Sequence, residues 1–145
     1  MEVLVTVENK RVMLGMSGGV DSSFTAAYLL QNGFDVFGVT MKLFATQSAD
    51  IDAKIVADFL HIKHYVLDLQ DIFKEKIIND FCAEYSRART PNPCILCNEN
   101  IKFGALMDFV MNHGADFFAT GHYARIEDCH LLRAIDLNKD YKCNK

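Results

Sequence analysis

The sequence predicts an α/β fold in which helices cover both faces of a parallel β-sheet. Three observations favour this class. Short apolar runs typical of buried strands alternate with longer segments of helical period. A glycine-rich turn joins the first strand to the first helix. With 145 residues, 50% of them hydrophobic, the chain is long enough for one domain with a proper core and too short for two.

The first half of the chain predicts the order β-α-β-α-β. Its strands show no helical period, and β-branched and aromatic residues dominate the second of them, as expected in a parallel sheet. Asn32-Gly33 is expected to end the first helix, because glycine tolerates the left-handed backbone found there. In chain order the elements are strand 11–16, helix 22–31, strand 36–41, a loop at 43–49, a helix that Asp50 or Asp52 caps, and strand 64–67.

The second half predicts two more helices, a strand and a hairpin. Apolar residues recur every four positions in an amphipathic helix at 72–85 and are expected to lie in the core: Phe73, Ile77, Phe81 and Tyr85. Two prolines then interrupt the pattern over 87–97. The remaining elements are helix 101–111, which His113-Gly114 ends, strand 117–120, and a C-terminal hairpin of strands 124–127 and 130–134 around Asp128-Cys129.

The turn after the first strand carries the most informative motif, Ser17-Gly18-Gly19-Val20-Asp21-Ser22-Ser23. Adjacent glycines let the backbone approach a ligand closely, and the N–H groups that open the next helix attract an anion. No lysine follows the glycines, so the motif favours pyrophosphate over the γ-phosphate of a P-loop, and Asp21 is expected to place Mg²⁺. The alternative is an ordinary turn with Asp21 or Ser22 as the N-cap.

Other loops are expected to join this one at a single site. Ligands of open parallel sheets bind at the carboxyl ends of the strands. The turn after Met16, the segment around Met41 and the loop after Thr120 each follow a predicted strand. We therefore expect all three to converge on one edge of the sheet.

Composition and charge exclude several classes of protein. The longest apolar stretches fall short of the roughly 18 residues that a membrane span needs, and the N-terminus lacks a basic start followed by an apolar block. The net charge of −4 argues against coating nucleic acid through bulk electrostatics. Five cysteines at irregular spacing fit reduced or catalytic thiols better than a disulfide framework. These features predict a cytoplasmic protein without a membrane partner.

Two of the cysteines, Cys94 and Cys97, follow the prolines of the interrupted segment. With a helix starting near residues 99–101, its dipole would make Cys97 the more acidic and more nucleophilic thiol. Structural zinc would need two further ligands, which the spacing does not offer, and a thioredoxin-like pair would sit elsewhere in a βαβ unit. An iron–sulfur cluster would need a third thiol, for which Cys129 and Cys143 are the late candidates.

The same region is locally basic. Between residues 87 and 102, three bases face only one acid: Arg87, Arg89 and Lys102 against Glu99. A local anion site and ordinary scatter of surface charge both account for this count.

Five motifs, taken in order, resemble the tRNA-specific 2-thiouridylases of the MnmA/TrmU family. They are SGGVDSS at 17–23, VTMK at 39–42, the RTPNP, CN and IKF elements at 89–103, ATGHY at 119–123, and LR followed by NKD at 132–140. The resemblance runs from 11 to 140. It implies an ATP pyrophosphatase domain with the Rossmann-like fold of the adenine nucleotide alpha-hydrolases at 11–135, preceded by an extension at 1–10 and followed by the start of a tRNA-binding region at 136–145.

The resemblance also implies a reaction and its participants. ATP adenylates the C2 oxygen of a wobble uridine, pyrophosphate leaves, and a cysteine persulfide then displaces AMP. The cofactors implied are ATP and Mg²⁺, and the partners are the anticodon loop of tRNA and a persulfide donor protein. Carried over by position, Cys97 is the nucleophile, Asn92, Pro93 and Cys94 contact the target base, Lys139 and Asp140 contact tRNA, and the nucleotide is held by Gly15, Met16, Ser17, Gly18, Gly19, Val20, Asp21, Ser22, Met41 and Gly121.

The chain departs from the family pattern in two places. Many relatives have Asp where this chain has Cys94, so Cys94 is expected to pair with Cys97 in a disulfide or to join it as an iron–sulfur ligand. The family also continues past the position of residue 145 to a second catalytic cysteine, so we expect a truncated enzyme that binds ATP without completing thiolation. Two alternatives stay open: another pyrophosphate-loop ligase, which gives Cys97 no role, and an inactive nucleotide-binding fragment.

Overall fold

A computed structural model of the protein describes residues 10–45, 48–128 and 130–133. Within them the strands are β1 (Arg11–Gly15), β2 (Asp35–Lys42), β3 (Lys63–Asp68), β4 (Phe117–Thr120), β5 (Ala124–Glu127) and β6 (His130–Arg133). The first four form a parallel sheet in the order β3-β2-β1-β4, and β5 pairs with β6 as an antiparallel hairpin. The predicted fold class is confirmed. Cys129, Cys143, Lys139 and Asp140 lie outside the described residues.

Helices in the same part of the chain are α1 (Val20–Gln31), α2 (Ala49–Phe59), α3 at 70–86 and α4 at 93–112. Both α3 and α4 contain a π-helical stretch, at Lys74–Ile78 and at Asn98–Ala105. Such stretches are rare and are frequent at functional sites. None of these helices is long and apolar enough to cross a lipid bilayer.

Two predicted helix starts are wrong, and so is the N-cap of the first helix in the alternative interpretation of the loop. Gly19, rather than Asp21 or Ser22, is the N-cap of α1, and Asp21 lies in the first turn. Asp50 and Asp52 likewise lie in the first turn of α2. The positive end of the helix dipole stabilises a carboxylate there, but neither residue is the N-cap. Helix α4 begins at Pro93 rather than near 99–101, because proline at the first helical position has its φ already set and lacks only an N–H that would go unpaired.

The two faces of the sheet are covered by different helices. On one face, Met13, Phe37 and Val39 pack against Leu106 and Val110 of α4. On the other face, Leu14, Met16 and Val36 pack against small residues of α1 and α2, namely Ala26, Ala53 and Ala57. Successive side chains of β1 therefore enter opposite cores, as a strand's alternation requires.

A third cluster joins α3 to α4 beside the sheet. Leu69, Ile77 and Ile101 are buried there, and Cys97 packs against them. The prediction for α3 is correct for Ile77, which is 3% exposed, but wrong for Phe81 and Tyr85, which are 38% and 57% exposed. The π-helical stretch explains the error, because it breaks the four-residue register between Ile77 and the residues that follow it.

Candidate nucleotide-binding site and adjacent thiols

The loop between β1 and α1 is organised by its own hydroxyl groups. The Ser22 hydroxyl donates to the Gly19 carbonyl oxygen (3.1 Å) and accepts a hydrogen bond from the Ser17 N–H (3.4 Å). The Ser23 hydroxyl also donates to the Gly19 carbonyl (2.8 Å), and the Gly19 N–H donates to Ser17 Oγ (3.4 Å). Ser22 is buried, so these bonds fix the loop from within.

Glycine is required at residue 18 on two counts. Its φ is +74°, in the left-handed region that favours glycine. A Cβ atom there would also lie 2.4 Å from Cβ of Asp52 and 2.8 Å from the backbone nitrogen of Ala53. The loop therefore packs directly on the first turns of α2.

A cavity of about 280 Å³ opens at the carboxyl ends of β1, β2 and β4. Seven residues predicted to hold the nucleotide line it: Gly15, Met16, Ser17, Asp21, Ser22, Met41 and Gly121. The three expected loops do meet at one edge. Gly18, Gly19 and Val20 do not line the cavity: Gly18 faces α2, Gly19 caps α1, and the Val20 side chain is 84% exposed.

The same cavity is also lined by residues that the sequence analysis did not assign to the nucleotide. Lys102 and Leu106 come from α4, and Phe118, Thr120 and His122 come from β4 and its following loop. His122 Nδ1 lies 2.6 Å from Thr120 Oγ1. The ATGHY motif placed the β4 residues near the site, whereas only the crossing of α4 over the sheet brings Lys102 there.

Two side chains at the cavity, Asp21 and His122, are influenced by neighbouring polar and charged groups. The Tyr123 hydroxyl donates a short hydrogen bond to the Asp21 carboxylate, which holds that carboxylate at the start of α1. Burial of the His122 ring, together with the nearby Lys102 ammonium, lowers the pKa of His122. The imidazole is therefore neutral at pH 7.

A buried relay holds the end of β1 against β2 and β3. Thr40 Oγ1 donates to the Met16 carbonyl (2.8 Å) and lies 2.8 Å from His64 Nε2. Since the hydroxyl hydrogen goes to Met16, Nε2 must carry the hydrogen that completes the contact. Burial is the first cause, and the Lys54 ammonium the second, of the lowered pKa of His64. This relay fixes the strand end from which the loop departs.

The two thiols lie on the first turns of α4, the helix that also carries Lys102, and neither lines the cavity. Cys94 is exposed and Cys97 is half-buried, and both are free thiols. Burial raises the pKa of Cys97, an effect that the Lys102 ammonium partly offsets. The prediction that Cys97 gains acidity at a helix start is wrong, because the helix starts at Pro93 and Cys97 lies a full turn inside it.

The described side chains of the site fit a Mg²⁺ ion better than an iron–sulfur cluster. Mg²⁺ in nucleotide sites is held by one or two carboxylates together with phosphate oxygens, and the Asp21 carboxylate in the cavity wall fits that pattern. Within residues 10–45, 48–128 and 130–133, no three His, Cys, Asp or Glu side chains are grouped as a metal site. An iron–sulfur cluster on Cys94 and Cys97 would need ligands from outside the described residues. The disulfide expected between them is absent, since both are free.

The basic segment is less basic than its sequence suggests. Arg89 donates to the Glu84 carboxylate through Nε (2.6 Å) and through Nη2, and Arg87 Nη1 lies 3.4 Å from the same carboxylate. These contacts lower the pKa of Glu84 and raise that of Arg89. Two of the three bases therefore pair with an acid just outside the segment. Asn92 is exposed at the N-cap of α4, next to Pro93 at its first position.

The loop, the cavity and the thiols all lie within the part of the chain that matches a known family. Residues 10–143 match the family model described as the tRNA methyl transferase HUP domain. The chain belongs to this family. The match begins one residue before β1 and includes both the loop and the thiols of α4.

The chain is also similar to curated bacterial enzymes named tRNA-specific 2-thiouridylase MnmA. It is 52% identical to MnmA 1 of Fusobacterium nucleatum over 91% of this chain and 36% of the relative. It is 50% identical to MnmA of Persephonella marina over 90% of this chain and 42% of the relative. The chain thus spans about two fifths of the length of these relatives, and the resemblance seen in the motifs is confirmed.

Solved structures support the fold independently. A predicted subunit of tRNA methyltransferase from Methanocaldococcus jannaschii superposes with a TM-score of 0.59 at 21% identity, over 79% of this chain and 55% of that one. A glutamine-dependent NAD⁺ synthetase from Acinetobacter baumannii superposes with a TM-score of 0.55 at 22% identity, over 77% of this chain and 22% of that one. At these identities the likeness shows the fold alone.

Proposed function

We propose that this chain is the ATP-binding portion of a tRNA-uridine 2-sulfurtransferase. One observation carries the proposal: a single helix, α4, supplies Lys102 to the wall of the pyrophosphate-loop cavity and carries Cys94 and Cys97 on its first turns. A nucleotide and a sulfur nucleophile can therefore meet at the same edge of the sheet. Names of the MnmA relatives support thiolation as the outcome.

In this proposal the cavity holds ATP along its length. Met41, at the end of β2, and Gly121, after β4, face the adenosine, while the loop after β1 holds the pyrophosphate through Ser17 and Ser22. The Asp21 carboxylate, held by Tyr123, is the group that would hold Mg²⁺. The ion would supply neutralisation of the phosphate charge.

The thiol side of the site receives the activated uridine. Asn92, Pro93 and Cys94 contact the base, which must leave the stack of the anticodon loop to reach them, and Lys139 and Asp140 contact tRNA. The terminal sulfur of a Cys97 persulfide, loaded by a donor protein, attacks C2 as AMP leaves, which joins the base to Cys97 through an S–S bond. The thiol of the family's second catalytic cysteine then attacks Cys97 Sγ, which releases 2-thiouridine and leaves a disulfide between the two cysteines for an external thiol to reduce. Five cysteines at irregular spacing fit a reducing compartment, and we place the reaction in the cytoplasm.

Sulfur transfer is preferred over methyl transfer, although the family description carries the word methyl transferase. A methyl transferase has no use for a pyrophosphate loop, since its methyl donor is not cleaved to pyrophosphate. The loop and the thiols together account for ATP use and for a nucleophile, and the ligase alternative leaves the thiols unexplained.

A chimaera tests the proposal at the level of the whole reaction. Residues 10–143 would replace the matching part of the Fusobacterium nucleatum relative, with which this chain shares 52% identity. With ATP, unmodified tRNA and a persulfide donor, we expect 2-thiouridine by mass spectrometry of digested tRNA. Cys97→Ala should abolish the product, while the matched control Cys82→Ala, an exposed cysteine on α3, should not.

A chimaera that binds ATP but forms no 2-thiouridine, or one in which Cys97→Ala keeps full activity, would overturn the proposal. ATP-dependent activation of a small carboxylate by the same chimaera would favour the ligase alternative.

A further inference from the structure

The loop after β1 lacks the lysine that many phosphate-binding loops carry, yet a lysine reaches its cavity from elsewhere. Lys102 lies on the π-helical stretch of α4 and is half-buried. It lines the cavity together with Asp21, Gly121 and His122. The fold therefore brings a cation from a helix more than 80 residues away in sequence to the loop that binds anions.

The π-helical geometry helps to place this lysine beside the thiol. Backbone bonds in this stretch span five residues, as from the Leu106 N–H to the Ile101 carbonyl. In an α-helix, a residue five positions on lies on a different face, whereas a five-residue repeat returns it close to the same face. Lys102, five residues after Cys97, is thus brought towards the same face of α4 as that thiol, and it lines the cavity.

Two observations show where the charge of Lys102 acts. It influences both the Cys97 thiol and the His122 imidazole, which lie on different elements. Among the ion pairs of residues 10–45, 48–128 and 130–133, none includes Lys102. Lys102 therefore lines the cavity with no acidic partner within salt-bridge distance in the described chain.

We propose that Lys102 binds the α-phosphate of the nucleotide and supplies the cation that the loop after β1 lacks. This inference rests on the proposed function. Met41 marks the adenosine end of the cavity and Ser17 and Ser22 mark the pyrophosphate end, so the α-phosphate lies between them. That phosphate must also face the acceptor base, and Lys102 lies in the cavity wall on the helix that carries Cys97. The same ammonium then neutralises the α-phosphate in ATP, in the adenylated intermediate and in departing AMP.

Calorimetric titration of the 145-residue chain tests this assignment. Lys102→Gln is compared with Lys102→Arg and with Lys74→Gln, which removes the same charge from an exposed position on α3 outside the cavity. The ligands are ATP, AMP, pyrophosphate and adenosine, each with Mg²⁺. We expect Lys102→Gln to weaken ATP and AMP by about tenfold or more, as for a lost hydrogen bond to a charged group, and to leave adenosine unchanged.

Each other outcome has a defined meaning. Equal affinity of Lys102→Gln and the unsubstituted chain for AMP overturns the inference, as does a loss for pyrophosphate without a loss for AMP. Lys102→Arg should retain most of the AMP affinity, and Lys74→Gln all of it. If Lys102→Gln does not fold, Lys102→Met preserves the apolar stem and gives the same comparison. Absence of ATP binding by the unsubstituted chain would instead refute the proposed function, and with it this inference.

Discussion

The loop at 15–22 and the thiol segment at 92–97 border the same site but are built in opposite ways. The loop is fixed by buried Ser22, by its own hydrogen bonds and by contact of Gly18 with α2. The thiol segment lies on the surface, with Asn92 and Cys94 exposed and with no side-chain bond capping its helix. The nucleotide side is thus preorganised by the core, whereas the thiol side is open to a large substrate.

This difference agrees with the chemistry proposed for each side. A nucleotide is small and needs donors held in place before it arrives, because ordering them on binding would cost affinity. An anticodon loop is large, so the surface that binds it must be exposed. Consequently we expect the two regions to respond differently to substitution, to alkylation and to pH.

The largest effect is expected at the buried base of the thiol helix. Ile101 is fully buried between α3 and α4, so Ile101→Ala should lower the free energy of unfolding by about 2–5 kcal/mol through lost contacts and a cavity. Ile95→Ala, on the exposed side of the same helix, should cost far less, since Ile95 is 61% exposed. Urea denaturation measures both, and equal losses would show that the helix is not anchored by this cluster.

A somewhat smaller effect is expected in the loop. Gly18→Ala should lower the free energy of unfolding by about 3 kcal/mol, because the left-handed φ strains alanine and the new Cβ meets α2. Gly33→Ala is the matched control: its φ is +82°, but nothing lies within 4 Å of the added Cβ. It should show the strain alone, about 1–2 kcal/mol. Similar losses at both sites would mean that the loop does not pack on α2.

Alkylation should separate the two thiols. Cys94 is exposed, whereas Cys97 is half-buried with a raised pKa, so iodoacetamide should modify Cys94 several-fold faster at neutral pH. The rate at Cys97 should keep rising with pH beyond the range of an ordinary thiol, because its thiolate forms later. Peptide mass spectrometry resolves the two sites. Faster modification of Cys97 would contradict the described environment.

The smallest effect concerns the relay behind the loop. The lowered pKa of His64 means that the folded chain binds this proton less readily than the unfolded chain. The contribution of neutral His64 to the free energy of unfolding is therefore fully present above the pKa of the unfolded chain, near 6.5. It is lost as the pH falls through the lower pKa of His64 in the folded chain. His64→Gln should flatten the fall in unfolding free energy between about pH 7 and pH 5.

Local signals predicted much of the nucleotide side. Asn32-Gly33 and His113-Gly114 end their helices as expected, with Gly33 and Gly114 at positive φ. Strand alternation and the glycine-rich motif also placed the loop at the correct edge, because a parallel sheet gathers the ends of its strands. These features depend on residues close together in the chain.

The thiol side could not be predicted as well, because it depends on long-range packing. Asn92-Pro93 is itself a helix-start signal, but the two prolines favoured a loop. The pKa of Cys97 depends on burial against Leu69 and Ile77, which no local pattern reveals. Lys102 enters the cavity only because α4 crosses the sheet, so its position required the folded structure.

Amide NMR during titration with Mg²⁺ and ATP tests the central claim most directly. If the cavity at the ends of β1, β2 and β4 holds the nucleotide, the largest shifts should occur at Ser17, Ser22 and Gly121, and the amides of Gly33 and Gly114 should stay unchanged. At a concentration 100 times Kd, the same ligand should raise the free energy of unfolding by about 2.7 kcal/mol. Saturating ATP that leaves the loop amides unmoved, or that shifts the outer faces of α1 and α2 instead, would contradict the account.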